Sequence, residues 1–415
     1  MPNGSRLLAQ VLDGMAKPET LAPKETGYRY THLAALAAQP PRRNPDAATW
    51  SAQAISAAWK PTRLRMRSVA LLSLVGGLAL GGSAGYWTGW MNRPATPYGP
   101  AAAPAKVQQA FQVGSAATGA TFGPEGTLAV GTARGSVTVF DMRRPEQKTE
   151  LVSPDSGPIT RTAFSPGGSV LAAGSDDGTV RLWRNPMQGP QDPTAELKMR
   201  EDGEYGGAVT DLAYSPDGKI LVVASSTSTV RIWDVSSPRS PRALAAPGRD
   251  HAVTRLAFNP SGTVLAVGST DGTVQLWDLT VPANPRTIEG GQVVTNASVT
   301  ALAFSADKKS LAVANSRGAV QLWNVADPAS PRKVDAARAV GYTNDLSFNA
   351  PGYILAAGNS DGTVRVWEDL NDLMNPRILT RETNQGALSS VAFANGDDNT
   401  LAVTGTDGSV QLWTA

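Results

Sequence analysis

From about residue 106 to the end of the chain, apolar and polar positions follow one motif that returns seven times. The copies read "GATFGPEGTLAVGTARGSVTVFD", "RTAFSPGGSVLAAGSDDGTVRLWR", "DLAYSPDGKILVVASSTSTVRIWD" and "RLAFNPSGTVLAVGSTDGTVQLWD", followed by "ALAFSADKKSLAVANSRGAVQLWN", "DLSFNAPGYILAAGNSDGTVRVWE" and "SVAFANGDDNTLAVTGTDGSVQLWT". Each opens with a short apolar run ending at Phe122, Phe164, Tyr214, Phe258, Phe304, Phe348 or Phe393. A Pro/Gly/Asp turn follows, then a nearly continuous apolar run such as "VLAVG", long enough for a strand and too short for a helix. After a second turn, often Asp-Gly, the copy ends on an alternating strand such as "TVQLW". The closing aromatics are Phe140, Trp183, Trp233, Trp277, Trp323, Trp367 and Trp413.

Seven copies in about 310 residues give a period of about 44, within the range of propeller blades. The continuous apolar run must be buried on both faces, as in the second strand of a four-stranded blade. A fourth strand fits after each aromatic, in "PRAL", "PRTI" and "PRKV". The expected fold class is all-β, a seven-bladed β-propeller. The last copy lacks its fourth strand, because the chain stops two residues after Trp413. An unassigned strand-like segment, "KVQQAFQVG" at 106–114, is expected to pair beside residues 409–413 and latch the ring shut.

The F-S-P-D-G, L-A-x-G-S, D-G-T-V and Q/R-L-W-D elements resemble those of the WD40-repeat family, over roughly residues 106–415. The resemblance implies a seven-bladed interaction platform, normally without catalysis. Repeats of that family often begin with Gly-His, whose imidazole joins the aspartate of the second turn in a network supporting the blade. This chain departs from the pattern. Of its two histidines, His32 lies outside the repeats and His251 about two residues out of phase. The turn aspartate persists as Asp177, Asp271, Asp361 and Asp407, while Arg134, Thr227 and Arg317 occupy the position elsewhere. Apolar packing between blades is expected to hold the ring, with the six repeat tryptophans structural.

Before the repeats the pattern changes. Residues 68–90, "SVALLSLVGGLALGGSAGYWTGW", carry no charge, enough to span a hydrocarbon core of about 30 Å as a helix. Lys60, Arg63, Arg65 and Arg67 precede the run and Arg93 follows. The positive-inside rule then puts residues 1–66 in the cytoplasm, and Tyr86, Trp87 and Trp90 suit the far headgroup layer. A cleaved signal peptide would not begin after more than sixty residues. Gly77, Gly81, Gly85 and Gly89 fall every fourth residue on one stripe, where a second helix can approach closely. That neighbour is another copy or a different subunit.

The expected organisation is therefore 1–66 cytoplasmic with short helices, 67–91 transmembrane helix, 92–105 Pro-rich stalk and 106–415 propeller. The helices expected in the first segment are "SRLLAQVLDGM", "THLAALAAQPP" and "NPDAATWSAQAISAAWKP". They are too small to share a core, so they form either a flexible tail or a strap ordered on a partner.

Composition narrows the chemistry. A formal net charge of +2 argues against nucleic acid as a main ligand. With no cysteine and two histidines, disulfides, thiolate metal sites and histidine-rich metal sites are excluded within one chain. "GGSAG" at 81–85 matches a nucleophile elbow but lies inside the membrane run, away from any strand-to-helix turn. "SPRK" at 330–333 recurs as "SPRA" and "NPRT", so it belongs to the repeat. Asp-rich turns such as "SDDG" lack the ordered ligand spacing of a calcium loop. The tryptophans sit at the family's Trp-Asp position, unlike the blade signature of cofactor-binding quinoprotein propellers. No catalytic, metal or cofactor site is expected.

One recurrent feature points outward. "SPRSPRAL", "VPANPRTI", "DPASPRKV" and "LMNPRIL" place Arg242, Arg286, Arg332 and Arg377 at equivalent positions in consecutive blades. They form either a basic arc for an acidic partner or lipid headgroups, or protection of an outer strand edge by proline and charge.

The expected function is a non-catalytic, membrane-anchored interaction scaffold, an accessory subunit of a larger membrane complex or a homo-oligomer. An extracytoplasmic ligand sensor is the alternative, and an envelope enzyme would need convergent polar groups in the central channel. Ala- and Arg-rich composition suggests a bacterial inner membrane with a periplasmic propeller. In a eukaryotic source, "NAS" at Asn296 would be a glycosylation acceptor.

Overall fold

Seven antiparallel sheets account for the repeats, one per copy. The computed structural model describes residues 103–104, 106–152, 156–200, 206–247, 251–338, 341–380, 386–394 and 400–414. The expected cytoplasmic segment, the membrane helix with Gly77, Gly81, Gly85 and Gly89, and the stalk up to residue 102 lie outside them. Among the described residues no helix is long and apolar enough to cross a membrane.

Blade 4 shows how the motif becomes structure. Its strands are Val253–Phe258, Val264–Ser269, Thr273–Asp278 and Arg286–Val294, paired in that order. The second strand, "VLAVGS", is buried at every position because sheets pack against both of its faces. The third strand alternates, with Val274, Leu276 and Trp277 buried. The outer strand begins at Arg286, immediately after Pro285, whose missing N–H suits a position outside the ladder.

The first strands of all seven blades end at the seven expected aromatics, from Phe122 to Phe393. They contact one another in sequence, and the first strand of blade 7, Leu388–Phe393, returns to that of blade 1, Ala117–Phe122. Between blades the core is a set of apolar wedges. Leu256, Leu265, Val267 and Trp277 of blade 4, for example, pack on Val222, Val230 and Ile232 of blade 3.

The expected latch is present. Val107–Gln112 is the outer strand of blade 7, antiparallel to Ser409–Thr414, with Val107 opposite Trp413 and Gln112 opposite Ser409. Phe111 stacks on Phe140 of blade 1 with ring centroids 5.2 Å apart, so the latch touches the next blade as well. Trp413 is wholly buried. Just before the latch, Ala103–Pro104 adds a parallel fifth strand to blade 6, opposite Leu379 and Thr380. That addition has no precedent in the repeat.

Candidate interaction surfaces and the central channel

Each first strand carries a bulge two residues after its start, at Gly119, Arg161, Asp211, Arg255, Ala301, Asp345 and Ser390 in turn. A bulge re-aims the side chain that follows it. Residues from all seven strands line one cavity of about 170 Å³ on the ring axis. Two arginines and two aspartates converge there.

Every one of those charges is engaged in holding blades together. Asp211 of blade 3 accepts a hydrogen bond from the Leu256 N–H of blade 4 at 2.7 Å and one from its own Leu212 N–H at 3.0 Å. Arg161 Nε of blade 2 lies 3.5 Å from the same carboxylate. Arg255 of blade 4 donates to the Thr254 carbonyl and, at 3.3 Å, to the Asn344 carbonyl of blade 6. The second bond joins blades 4 and 6, while blade 5 lines the cavity with Leu302. Asp345 of blade 6 accepts from Ser390 Oγ at 2.6 Å and from the Val391 N–H at 3.2 Å, both in blade 7. Burial pushes the Asp211 carboxyl above its usual range, opposed by Arg161 and Arg255. Burial, with Arg161 nearby, pulls Arg255 down to about 10. The channel thus has the convergent polar groups that an enzyme reading asks for, but they serve as clamps between blades. Their sequence signal is the first letter of each motif copy, which reads G, R, D, R, A, D, S. Only ring closure shows that those letters face one another.

The second turns are capped as the repeat implies. Asp177, Asp271, Asp361 and Asp407 each accept the N–H of the residue two ahead, at 2.8–3.1 Å. Where aspartate is missing, a residue two places earlier takes over in two blades. Asn315 accepts from the Arg317 and Ala319 N–H groups, and Thr132 from the Ser136 N–H. His251, two residues out of phase in sequence, nevertheless brings Nε2 to 3.5 Å from Asp271.

The tryptophans are structural, as expected, although Trp323 is only half-buried. Several indoles find partners within their own blade. Trp323 and Trp413 donate to the glutamine two residues before them, Gln321 and Gln411. Trp183 donates to the Gln191 carbonyl and Trp367 to the Leu373 carbonyl.

Arg242, Arg286, Arg332 and Arg377 each open an outer strand and are exposed. Arg242 lies 3.5 Å from Asp234 and Arg377 3.4 Å from Glu368, across the same blade. Arg286 sits opposite Asp278 in the ladder, whereas Arg332 faces the neutral Asn324. The same end of the blades exposes apolar side chains, Val281, Tyr353 and Met374, the last 68% accessible. Among the described residues, no group of three or more His, Cys, Asp or Glu side chains could hold a metal ion.

Comparisons with known proteins agree with this geometry. The WD domain, G-beta repeat family model matches residues 146–184, 339–368 and 377–414. The model for the N-terminal domain of nucleolar protein 10-like proteins, a β-propeller, matches residues 194–330. No curated protein matches the chain in sequence. Among solved structures, the Cps50 (Swd1) β-propeller domain of Myceliophteria thermophila superposes with a TM-score of 0.62 at 19% identity, covering 75% of this chain and all of that domain. A chain of the mitotic checkpoint complex gives a TM-score of 0.63 at 17% identity, covering 78% of this chain and 95% of its own. By fold this chain is a seven-bladed β-propeller, and three of its stretches, 146–184, 339–368 and 377–414, match the WD40-repeat model.

Proposed function

We propose that this protein is a membrane-anchored interaction scaffold, an accessory subunit of a larger membrane assembly. In this reading residues 67–91 span a bacterial inner membrane, residues 1–66 remain in the cytoplasm and the propeller faces the periplasm. The observation that carries the scaffold role is the use of the channel's ionic groups as inter-blade clamps, which leaves loops and outer edges as the surface available to partners. A propeller like this one forms part of the mitotic checkpoint complex, which supports protein partners in general. The uncharged run at 68–90 and its basic flank support the anchor.

The test is purification of the intact chain in mild detergent, followed by mass spectrometry of whatever copurifies. Stoichiometric membrane subunits are the expected result. A free monomer, or recovery of the chain in the soluble fraction without detergent, overturns the reading.

A further inference from the structure

The outermost strand of a blade is a sheet edge, and its unpaired N–H and C=O groups are a template for another strand. Six of the seven edges in this ring are blunted. The outer strands of blades 1 to 5, Arg144–Val152, Ala195–Lys198, Arg242–Ala245, Arg286–Val294 and Arg332–Arg338, all contain charged residues. Blade 6 opens its edge on Arg377 and covers it with Ala103–Pro104. The seventh edge is the latch, and it differs. Val107–Gln112 reads "VQQAFQ", with no charge, proline or glycine, and its one neighbour among the described strands is Ser409–Thr414. Along it Gln108, Ala110 and Gln112 are exposed, alternating with half-buried Val107, Gln109 and Phe111.

We propose that this edge is a contact between two copies of the chain. The two latch strands pair antiparallel about a twofold axis, joining both blade 7 sheets into one continuous sheet. A second copy is the occupant that fits the chemistry best. A twofold antiparallel pair sets each strand against its own sequence, so any charge near the axis meets a like charge at a cost. The latch is the edge that escapes this cost. Its glutamines can hydrogen-bond their counterparts across the axis, as amide ladders do in paired identical strands. Blade 6 shows that outer edges of this ring accept an added strand. The contact does not depend on the membrane anchor or on any other subunit.

The test uses the whole chain in mild detergent, exploiting its lack of cysteine. Gln108→Cys, Ala110→Cys and Gln112→Cys are oxidised one at a time, with Lys333→Cys on blade 5 as the control edge. At least one latch position should give a covalent dimer, since cross-strand residues fall within disulfide reach. Adding a lysine at a neighbouring exposed position, Ala110→Lys to Gln108→Cys or Gln112→Cys and Gln112→Lys to Ala110→Cys, should lower that yield by roughly tenfold or more without changing the melting temperature. The proposal fails if none of the three latch positions cross-links. It fails equally if Lys333→Cys cross-links as well as they do, or if the added lysine has no effect. Copurifying subunits without a latch cross-link would sink this proposal and leave the scaffold reading standing.

Discussion

The Asp211 carboxylate of blade 3 accepts a 2.7 Å hydrogen bond from the Leu256 N–H of blade 4, joining two repeats through one buried side chain. Removing that carboxylate leaves a backbone donor and the Arg161 guanidinium without their partner at the channel wall. Asp211→Ala should destabilise the fold by about 3 kcal/mol or more, the usual cost of breaking one side of a buried pair. Asp211→Asn keeps one acceptor and should cost less. Denaturant unfolding of both variants measures the difference, and equal stabilities would show that the clamp does not matter.

Ring closure should depend on the latch. Phe111→Ala removes the stack on Phe140 and part of the wedge between blades 7 and 1, and should cost about 2–3 kcal/mol. A double-mutant cycle with Phe140→Ala should return a coupling of about 0.5–1.5 kcal/mol, as close aromatic pairs do. Deleting residues 106–113 should abolish cooperative unfolding of the whole propeller, read by calorimetry. A deletion variant that melts as the parent does would contradict the closure.

Two turns hold a side chain where other blades use glycine. Ser228 (φ 64°) takes the place of Gly178 (φ 79°) in the second turn, and Lys308 (φ 65°) that of Gly218 (φ 72°) in the first. A Cβ in the left-handed region costs about 1 kcal/mol, partly returned by the extra freedom glycine gives the unfolded chain. Ser228→Gly and Lys308→Gly should each stabilise the protein by roughly 0.5 kcal/mol. A lower melting temperature for both would refute the strain argument.

Acid should weaken the turns. The Ser236 hydroxyl and N–H hold Asp234 below its usual carboxylate range, Ser215 does the same for Asp217, and the Thr280 N–H for Asp278. A carboxyl depressed in the fold gives stability that is present above its unfolded pKa and lost as pH falls through the folded one. Asp211, raised by burial, has the opposite sign, so its contribution falls as pH rises through its folded pKa. Asp307, pushed up by burial but held down overall by the Ser305 hydroxyl, makes four depressed carboxyls against one, so the melting temperature should drop between about pH 5 and pH 3. Ser236→Ala should flatten that drop, and an unchanged slope would remove Asp234 from the account.

The local parts of this structure could be read directly from the chain. The number of blades, the aromatic that ends each first strand, the buried second strand and the latch all follow from a repeated alternation of apolar and polar positions. Such a pattern reports on one strand and its nearest neighbours, and seven in-phase copies make it unambiguous. The tertiary structure alone decided what depends on closing the ring. Arg161, Asp211, Arg255 and Asp345 are scattered through the sequence, and they share one channel because seven bulged strands converge on an axis. His251 comes within 3.5 Å of Asp271 although it stands two residues off the repeat. The parallel pairing of Ala103–Pro104 on blade 6 involves too few residues to carry a pattern. Local chemistry therefore specified the blades, and the geometry of the closed ring specified which of their side chains meet.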